Sequence, residues 1–202
     1  MISSNVFYYR NDLPKRVKLI AVSKNVPVPK LRIAKESGVK RFGESRIQEA
    51  IPKVKAIPEA EWHFIGHLQR NKVKTAVKYF DVIQAVDSSK LAKKIDNAAK
   101  EHGKKQKVMV QLKFGGKHGF HPKDAKKAVK KVSSLRNLQL LGMMVIGHKK
   151  DPIPSFKKAN RIFEKHKLKH LSMGMSNDYT EALKFGSNMV RIGRGIFDEK
   201  KY

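Results

Sequence analysis

Apolar residues in this chain gather into short, nearly unbroken runs. Between the runs lie longer stretches in which apolar positions return every three or four residues. The runs read as strands over 17–22, 39–42, 62–66, 81–86, 107–112, 138–146, 170–173 and 189–193. The intervening stretches read as helices over 30–37, 45–56, 69–78, 88–102, 122–134, 155–166 and 178–185. Several carry start signals: Ser88 after Asp87, Pro122 in a first turn, and Asp178 with Glu181 three residues on. Strands without polar alternation are those covered on both faces, as in a parallel sheet flanked by helices. Eight strands alternating with helices predict a single-domain α/β (β/α)8 TIM barrel over residues 1–202, although ~250 residues is the usual size. A doubly wound open sheet is the other arrangement such a rhythm allows, but no Gly-x-Gly-x-x-Gly follows the first strand. No Pro-, Gly- or Ser-rich linker divides the chain, and no second domain is expected.

In a barrel of this kind the chemistry sits where strands end and loops begin. The first strand ends in "KLIAVSK", so a lysine, Lys24, stands at the end of a buried run, just before "NVPVP". Lys24 is either a solvated residue where the strand surfaces or a chemical handle at the barrel mouth. Other strand ends bring "FGES", "GHLQRNK", "IGHKK", "MGMSND" and "RIGRG" to the same rim. Glycine, serine and basic groups collected there suit an anion, most simply a phosphate held by backbone N–H groups after strands seven and eight. An amine facing a phosphate cradle suits pyridoxal 5′-phosphate (PLP), whose aldehyde condenses with a lysine while its phosphate anchors the far end. Partial burial and cationic surroundings are expected to lower the pKa of such an amine.

Composition adds constraints. With 45 Lys and Arg against 17 Asp and Glu, the formal net charge is +28, a field that attracts polyanions. The lysines are dispersed at helical spacing, as in "KDAKKAVKKV", and greatly outnumber arginines, so no specific nucleic-acid partner is expected. The chain contains no cysteine, which excludes disulfides, thiolate nucleophiles and Cys-ligated metals. "MISSNVFYYRNDLPKR" lacks the apolar run of a signal peptide or membrane span, so a cytoplasmic protein with no membrane partner is expected. The eight histidines look scattered, with His118 and His121 the nearest thing to a pair, and no metal site is expected.

The stretches "LIAVSKNVP", "GVKRFGESRIQEA", "WHFIGHLQRNK", "VIQAVDS", "LLGMMVIG" and "LSMGMSNDYTEALKFGSNMVRIGRGIF" run in order over nearly the whole chain. In them the sequence resembles the YggS/PROSC family of PLP-binding proteins, the pyridoxal phosphate homeostasis proteins, relatives of the alanine racemase barrel. The resemblance implies a fold type III barrel with Lys24 as the Schiff-base lysine. It places Arg191 opposite the pyridine nitrogen, and an arginine there keeps that nitrogen unprotonated and the ring a weak electron sink. It gives Ser176 and the backbone N–H groups of Gly193 and Arg194 the phosphate, and sets His63, Met173 and Met143 around the ring.

Some positions depart from the family. Ser45 stands where asparagine is usual after "FGE", Arg194 replaces a hydroxyl residue, and Lys113 replaces an asparagine. Asp198 replaces a glycine, the loop after strand five is shortened, and most of the helix preceding strand one is expected to be missing. The implied function is PLP homeostasis without robust catalysis, with PLP-dependent apoenzymes as possible recipients and a monomer or weak dimer as the working form. The alternative is a PLP-dependent racemase, which needs an acid–base group on each face of the substrate. The racemases of this fold take theirs from a tyrosine in a second domain. Tyr202 is a poor substitute, and Tyr179 is expected to be a surface or packing residue.

Overall fold

The computed structural model describes residues 1–198. Eight parallel strands close into a barrel in chain order, β1 pairing with both β2 and β8. They are β1 Lys18–Val22, β2 Arg41–Glu44, β3 Glu61–Phe64, β4 Val82–Val86, β5 Gln106–Lys113, β6 Leu138–Ile146, β7 His170–Met175 and β8 Met189–Ile192. The helices are α1 Ile2–Asp12, α2 Val28–Glu36, α3 Ile47–Ala56, α4 Val73–Tyr79, α5 Ser89–Glu101, α6 Ala125–Ser133, α7 Ile153–Lys165, α8 Tyr179–Lys184 and α9 Arg194–Phe197. The TIM barrel expected from the apolar rhythm is the fold, and the open sheet is excluded by the β1–β8 ladder.

Two hydrophobic layers hold it together. The outward faces of the strands pack against the helices through Phe42, Trp62, Phe64, Leu171 and Val190, all buried. A smaller cluster of Ile20, Val82, Met109 and Met189 fills part of the barrel interior. Both faces of each strand are thereby covered, which is why the strands read as continuous apolar runs.

Some boundaries differ from expectation. β2 begins two residues later than the apolar pattern suggests, because buried Val39 still belongs to the turn that ends α2, its N–H donating to the Ala34 carbonyl at 3.0 Å. Ser88 caps α5 as expected, its Oγ accepting from the Leu91 N–H at 3.3 Å. Asp178 does not cap α8; its carboxylate turns back to accept from the Met175 N–H at 2.6 Å. Pro122 opens a short 3-10 turn that leads into α6.

The helix expected to be missing before strand one is present. α1 buries Val6 and Tyr9, and the Asn5 side chain donates to the carbonyl of Ile196 at 3.1 Å, tying α1 to α9. Its sequence, ISSNVFYYRND, has no strong apolar stripe, so tertiary contacts rather than amphipathicity hold it in place. Tyr179 is a packing residue, as expected: its hydroxyl donates to Asp12 at 2.8 Å and its ring meets Tyr9 edge-on. Tyr202 lies outside the described residues.

Candidate functional site

The turn after β1 presents Lys24. It runs from Ser23 to Val26, closed by the Val26 N–H donating to the Ser23 carbonyl at 3.0 Å, with Asn25 in the left-handed region at φ 60°. Asn tolerates that conformation better than most residues. A buried polar knot anchors the turn from below. The Ser23 hydroxyl donates to Glu44 Oε1 at 2.6 Å, and Lys53 Nζ donates to the same oxygen and to the Ser23 carbonyl, both at 2.7 Å. Glu44 and Lys53 are both buried, so the carboxylate depends on these partners. Its other oxygen has no partner among the described residues.

Lys24 itself is exposed rather than partly buried. It lines a cleft of about 450 Å³ together with Val22, Asn25, Lys30, Gly193 and Arg194. Lys24 and the turn after β8 therefore border one opening. Ser176, in the turn after β7, joins them: its Oγ accepts from the Gly195 N–H at 3.3 Å. The amides of Gly193 and Arg194 donate to no acceptor among the described residues.

Arg191 lies deeper, 4% exposed, on the barrel side of β8. Nη1 donates to the Ser172 carbonyl at 2.8 Å and to its hydroxyl at 2.7 Å, and Nη2 donates to the Val145 carbonyl at 2.8 Å. Its Nε–H and one Nη2–H have no acceptor among the described residues. Burial pulls its pKa down to about 10, and it stays cationic at neutral pH.

From Arg191 a chain of hydrogen bonds crosses the barrel. The Ser172 hydroxyl donates to Gln84 Oε1 at 2.7 Å. Gln84 Nε2 donates to His63 Nδ1 at 2.8 Å, and His63 Nε2 meets Glu61 Oε1 at 2.9 Å. A guanidinium can only donate and a carboxylate can only accept, which fixes the amide orientation of Gln84 and puts the His63 proton on Nε2. Burial pushes the His63 pKa down, keeping the ring neutral. The hydrogen bond from His63 draws the Glu61 pKa down to about 2, with Arg41 at 3.2 Å and Lys18 adding to the pull.

A family model described as "Alanine racemase, N-terminal domain" matches residues 1–200. The pyridoxal phosphate homeostasis protein of Aquifex aeolicus is 36% identical over 200 residues, covering 92% of this chain and 88% of that protein. That of Synechocystis sp. is 35% identical over 204 residues, covering 93% and 94%. The chain belongs to the pyridoxal phosphate homeostasis protein family. Among solved structures it is similar to PipY of Synechococcus elongatus, which was solved both with and without PLP bound. The identity there is 36%, the TM-score 0.91, and the match covers 98% of this chain and all of PipY.

The residues named from the family resemblance fall into separate places. Lys24, Gly193 and Arg194 share the cleft, Ser176 adjoins it, and Arg191 lies beneath the same rim. His63 is inside the barrel but two residues removed from Arg191, with both ring nitrogens engaged. Met143 is fully buried and in register with Val110 and Leu171. Its neighbour Met144 aligns with Ser172, which points inward, so strand alternation turns Met143 towards the helices. Met173 is fully buried at the β7 irregularity. Ser45 lines a different pocket of about 210 Å³, with Arg46, His67 and Lys72.

Sequence reading named Arg191 and His63 but missed the other members of the interior chain. Their signal was present: Glu61, Gln84 and Ser172 are polar residues within otherwise apolar strands. It also missed a cluster at the rim, where His67, Asp87 and His118 bring their ligand atoms within 4.8 Å of one another. The expectation of scattered histidines fails there, because successive barrel strands place distant loops side by side.

Proposed function

We propose that this protein binds PLP and serves in its homeostasis, holding the aldehyde on Lys24 without robust catalysis. The observation that carries the reading is the single cleft shared by the Lys24 amine and the amides after β8. Bound there, PLP supplies a reactive aldehyde and a ring that can delocalise charge. The residues fit the group. The free amides of Gly193 and Arg194, with the Ser176 hydroxyl, suit a phosphate, and the exposed amine of Lys24 is open to an aldehyde. The guanidinium of Arg191 offers its unused N–H groups to a ring nitrogen. Arg194, where the family usually has a hydroxyl residue, adds a positive charge beside the phosphate and replaces a short donor with a long one. PipY, so similar over the whole of its length, carries PLP in one of its solved forms.

Two features favour holding over turnover. Arg191 would donate to the ring nitrogen and keep its own proton, so the ring would withdraw electrons weakly. The hydroxyl of Tyr179, at the start of the helix that follows Ser176, is committed to Asp12. Cytoplasmic PLP-dependent apoenzymes are the recipients this reading implies. A dispersed +28 charge is read as a solvated surface and gives no reason for specific nucleic-acid binding. Among the described residues no helix is long and apolar enough to cross a membrane.

The test is reduction with borohydride after mixing with PLP. The expected outcome is one equivalent of label, mapped to Lys24, a visible band lost in Lys24→Ala, and racemisation of alanine or serine at background. Label on another lysine overturns the site, and racemisation abolished by Lys24→Ala overturns the non-catalytic reading.

A further inference from the structure

We propose a second site on this protein, away from the Lys24 cleft, that binds a divalent transition-metal ion through His67, Asp87 and His118. The three residues follow β3, β4 and β5, at the same end of the barrel as Lys24. Asp87 Oδ2 lies 3.2 Å from His67 Nδ1 and 3.9 Å from His118 Nδ1. The two imidazole rings stack, with centroids 3.7 Å apart and planes 14° from parallel. Donor atoms bound to one ion at ~2.0–2.2 Å lie a little over 3 Å from one another, so the cluster is close to a ligand set without an ion.

The backbone brings these side chains together by close approaches that only glycine allows. A Cβ at Gly66 would stand 2.3 Å from the Ser45 carbonyl oxygen, so the chain leaving β3 hugs β2 and sets His67 over the rim. Gly119, at φ +126°, lets the loop after β5 fold back. The Phe120 N–H then reaches the Gln111 carbonyl, and Gln111 donates to the carbonyl of His118 at 3.2 Å.

The donor set selects the ion. Two imidazoles and a single carboxylate match Zn²⁺, Co²⁺ or Ni²⁺, whereas Ca²⁺ and Mg²⁺ need several oxygens. The chain's excess of positive charge reinforces that choice, since it weakens purely electrostatic capture of hard cations. A metal must lie near the plane of each imidazole that holds it. The stacked rings must therefore splay when the ion enters, and side-chain exposures of 44% and 45% leave His67 and His118 room to turn. Asp87, 13% exposed, is the fixed member.

Three protein ligands leave coordination positions open. His67 and Asp87 also line a cleft of about 280 Å³ with Gln69, Arg70, Ser88 and Lys90. Arg70 and Lys90 there suit an anionic co-ligand on the ion. Bound metal would tie the loops after three neighbouring strands together and hold the glycine-rich loop around His118 against the barrel.

The experiment is titration of the full chain, freed of metal by chelator, with Co²⁺ alone, followed by its visible absorption and by equilibrium dialysis. The expected result is saturable uptake of one equivalent, displaced by Zn²⁺. His67→Ala, Asp87→Asn and His118→Ala should each weaken it at least about tenfold, the loss that even an outer-shell partner can cause. His121→Ala, three residues from His118, controls for binding by loose surface histidines and should leave affinity unchanged. Circular dichroism confirms that each variant folds. His118→Ala is the decisive one, because its ring is exposed and its removal spares the barrel. Absence of saturable uptake overturns the proposal. So does uptake that His67→Ala and His118→Ala leave intact, or that His121→Ala weakens equally. None of these outcomes depends on where PLP binds.

Discussion

The two ends of this barrel carry similar residue types and treat them oppositely. At the N-terminal end, Lys18 donates to His170 at 3.2 Å, and Glu61 is held by both His63 and Arg41. Most polar groups there pair with one another, although Arg41 Nε, Gln106 Oε1 and His170 Nδ1 are buried with no hydrogen-bond partner among the described residues. At the C-terminal end Lys24 is exposed, two amides after β8 lack acceptors among the described residues, and His67 and His118 stack with a shared carboxylate neighbour. Groups that pair among themselves close an end of the barrel, whereas groups left open make an end that receives ligands. The contrast fits the general rule that function in this fold gathers where the strands finish.

The largest effect expected from breaking this contrast comes from the knot under the Lys24 turn. Lys53→Met removes the cation from a buried carboxylate and should cost about 3–5 kcal/mol in chemical denaturation. Glu44→Gln in that background should recover part of the loss, because the uncompensated charge is then gone. If Lys53→Met proves neutral, Glu44 is not dependent on its partner, and the turn is held by its own backbone.

A middle-sized effect is expected from the interior chain. Gln84→Leu leaves the Ser172 hydroxyl without its acceptor and His63 Nδ1 without its donor, a cost of about 1–3 kcal/mol for each stranded group. The visible band of bound PLP should also shift, since Arg191 is steered by Ser172. A destabilised protein with an unchanged band would mean that the chain is structural only.

The smallest concerns pH. Burial lowers the pKa of His170 to about 4 and also lowers that of His63, so both stay neutral in the folded protein where the unfolded chain binds protons. Stability is therefore full above the ordinary histidine pKa of ~6.5 and falls as pH drops from there towards 4. At pH 5 the loss from His170, which is buried, should be on the order of 1–2 kcal/mol. His170→Asn should flatten that slope in a pH series of thermal midpoints, and an unchanged slope would move the effect elsewhere.

Much of the architecture was legible in the sequence because burial on both faces leaves an apolar signature that does not depend on context. β6 was bounded as found, and the eightfold alternation led directly to a closed barrel. The illegible parts were those whose stabilisation is tertiary. α1 lacks an apolar stripe and is held by α2 and α9. β2 starts two residues late because Val39 belongs to the turn that ends α2. At the site, Lys24 and the glycine turn were readable because each ends an apolar strand. Residues 67, 87 and 118 are far apart in sequence, and only barrel closure makes them neighbours. The same holds for the side chains from β3, β4, β7 and β8 that form the interior chain. For Met143 the family resemblance suggested the pocket, whereas strand alternation turns its side chain towards the helices.

The interior chain has one further consequence. Its first member can never accept a proton and its last holds none to give at neutral pH, so every hydrogen in between has a single permitted position. Such a floor cannot run in reverse, and it makes a poor conduit for protons between the cavity and the far side of the barrel. Any proton gained or lost by a molecule seated above Arg191 must therefore travel through the open rim, which makes access at that rim the gate on its reactivity.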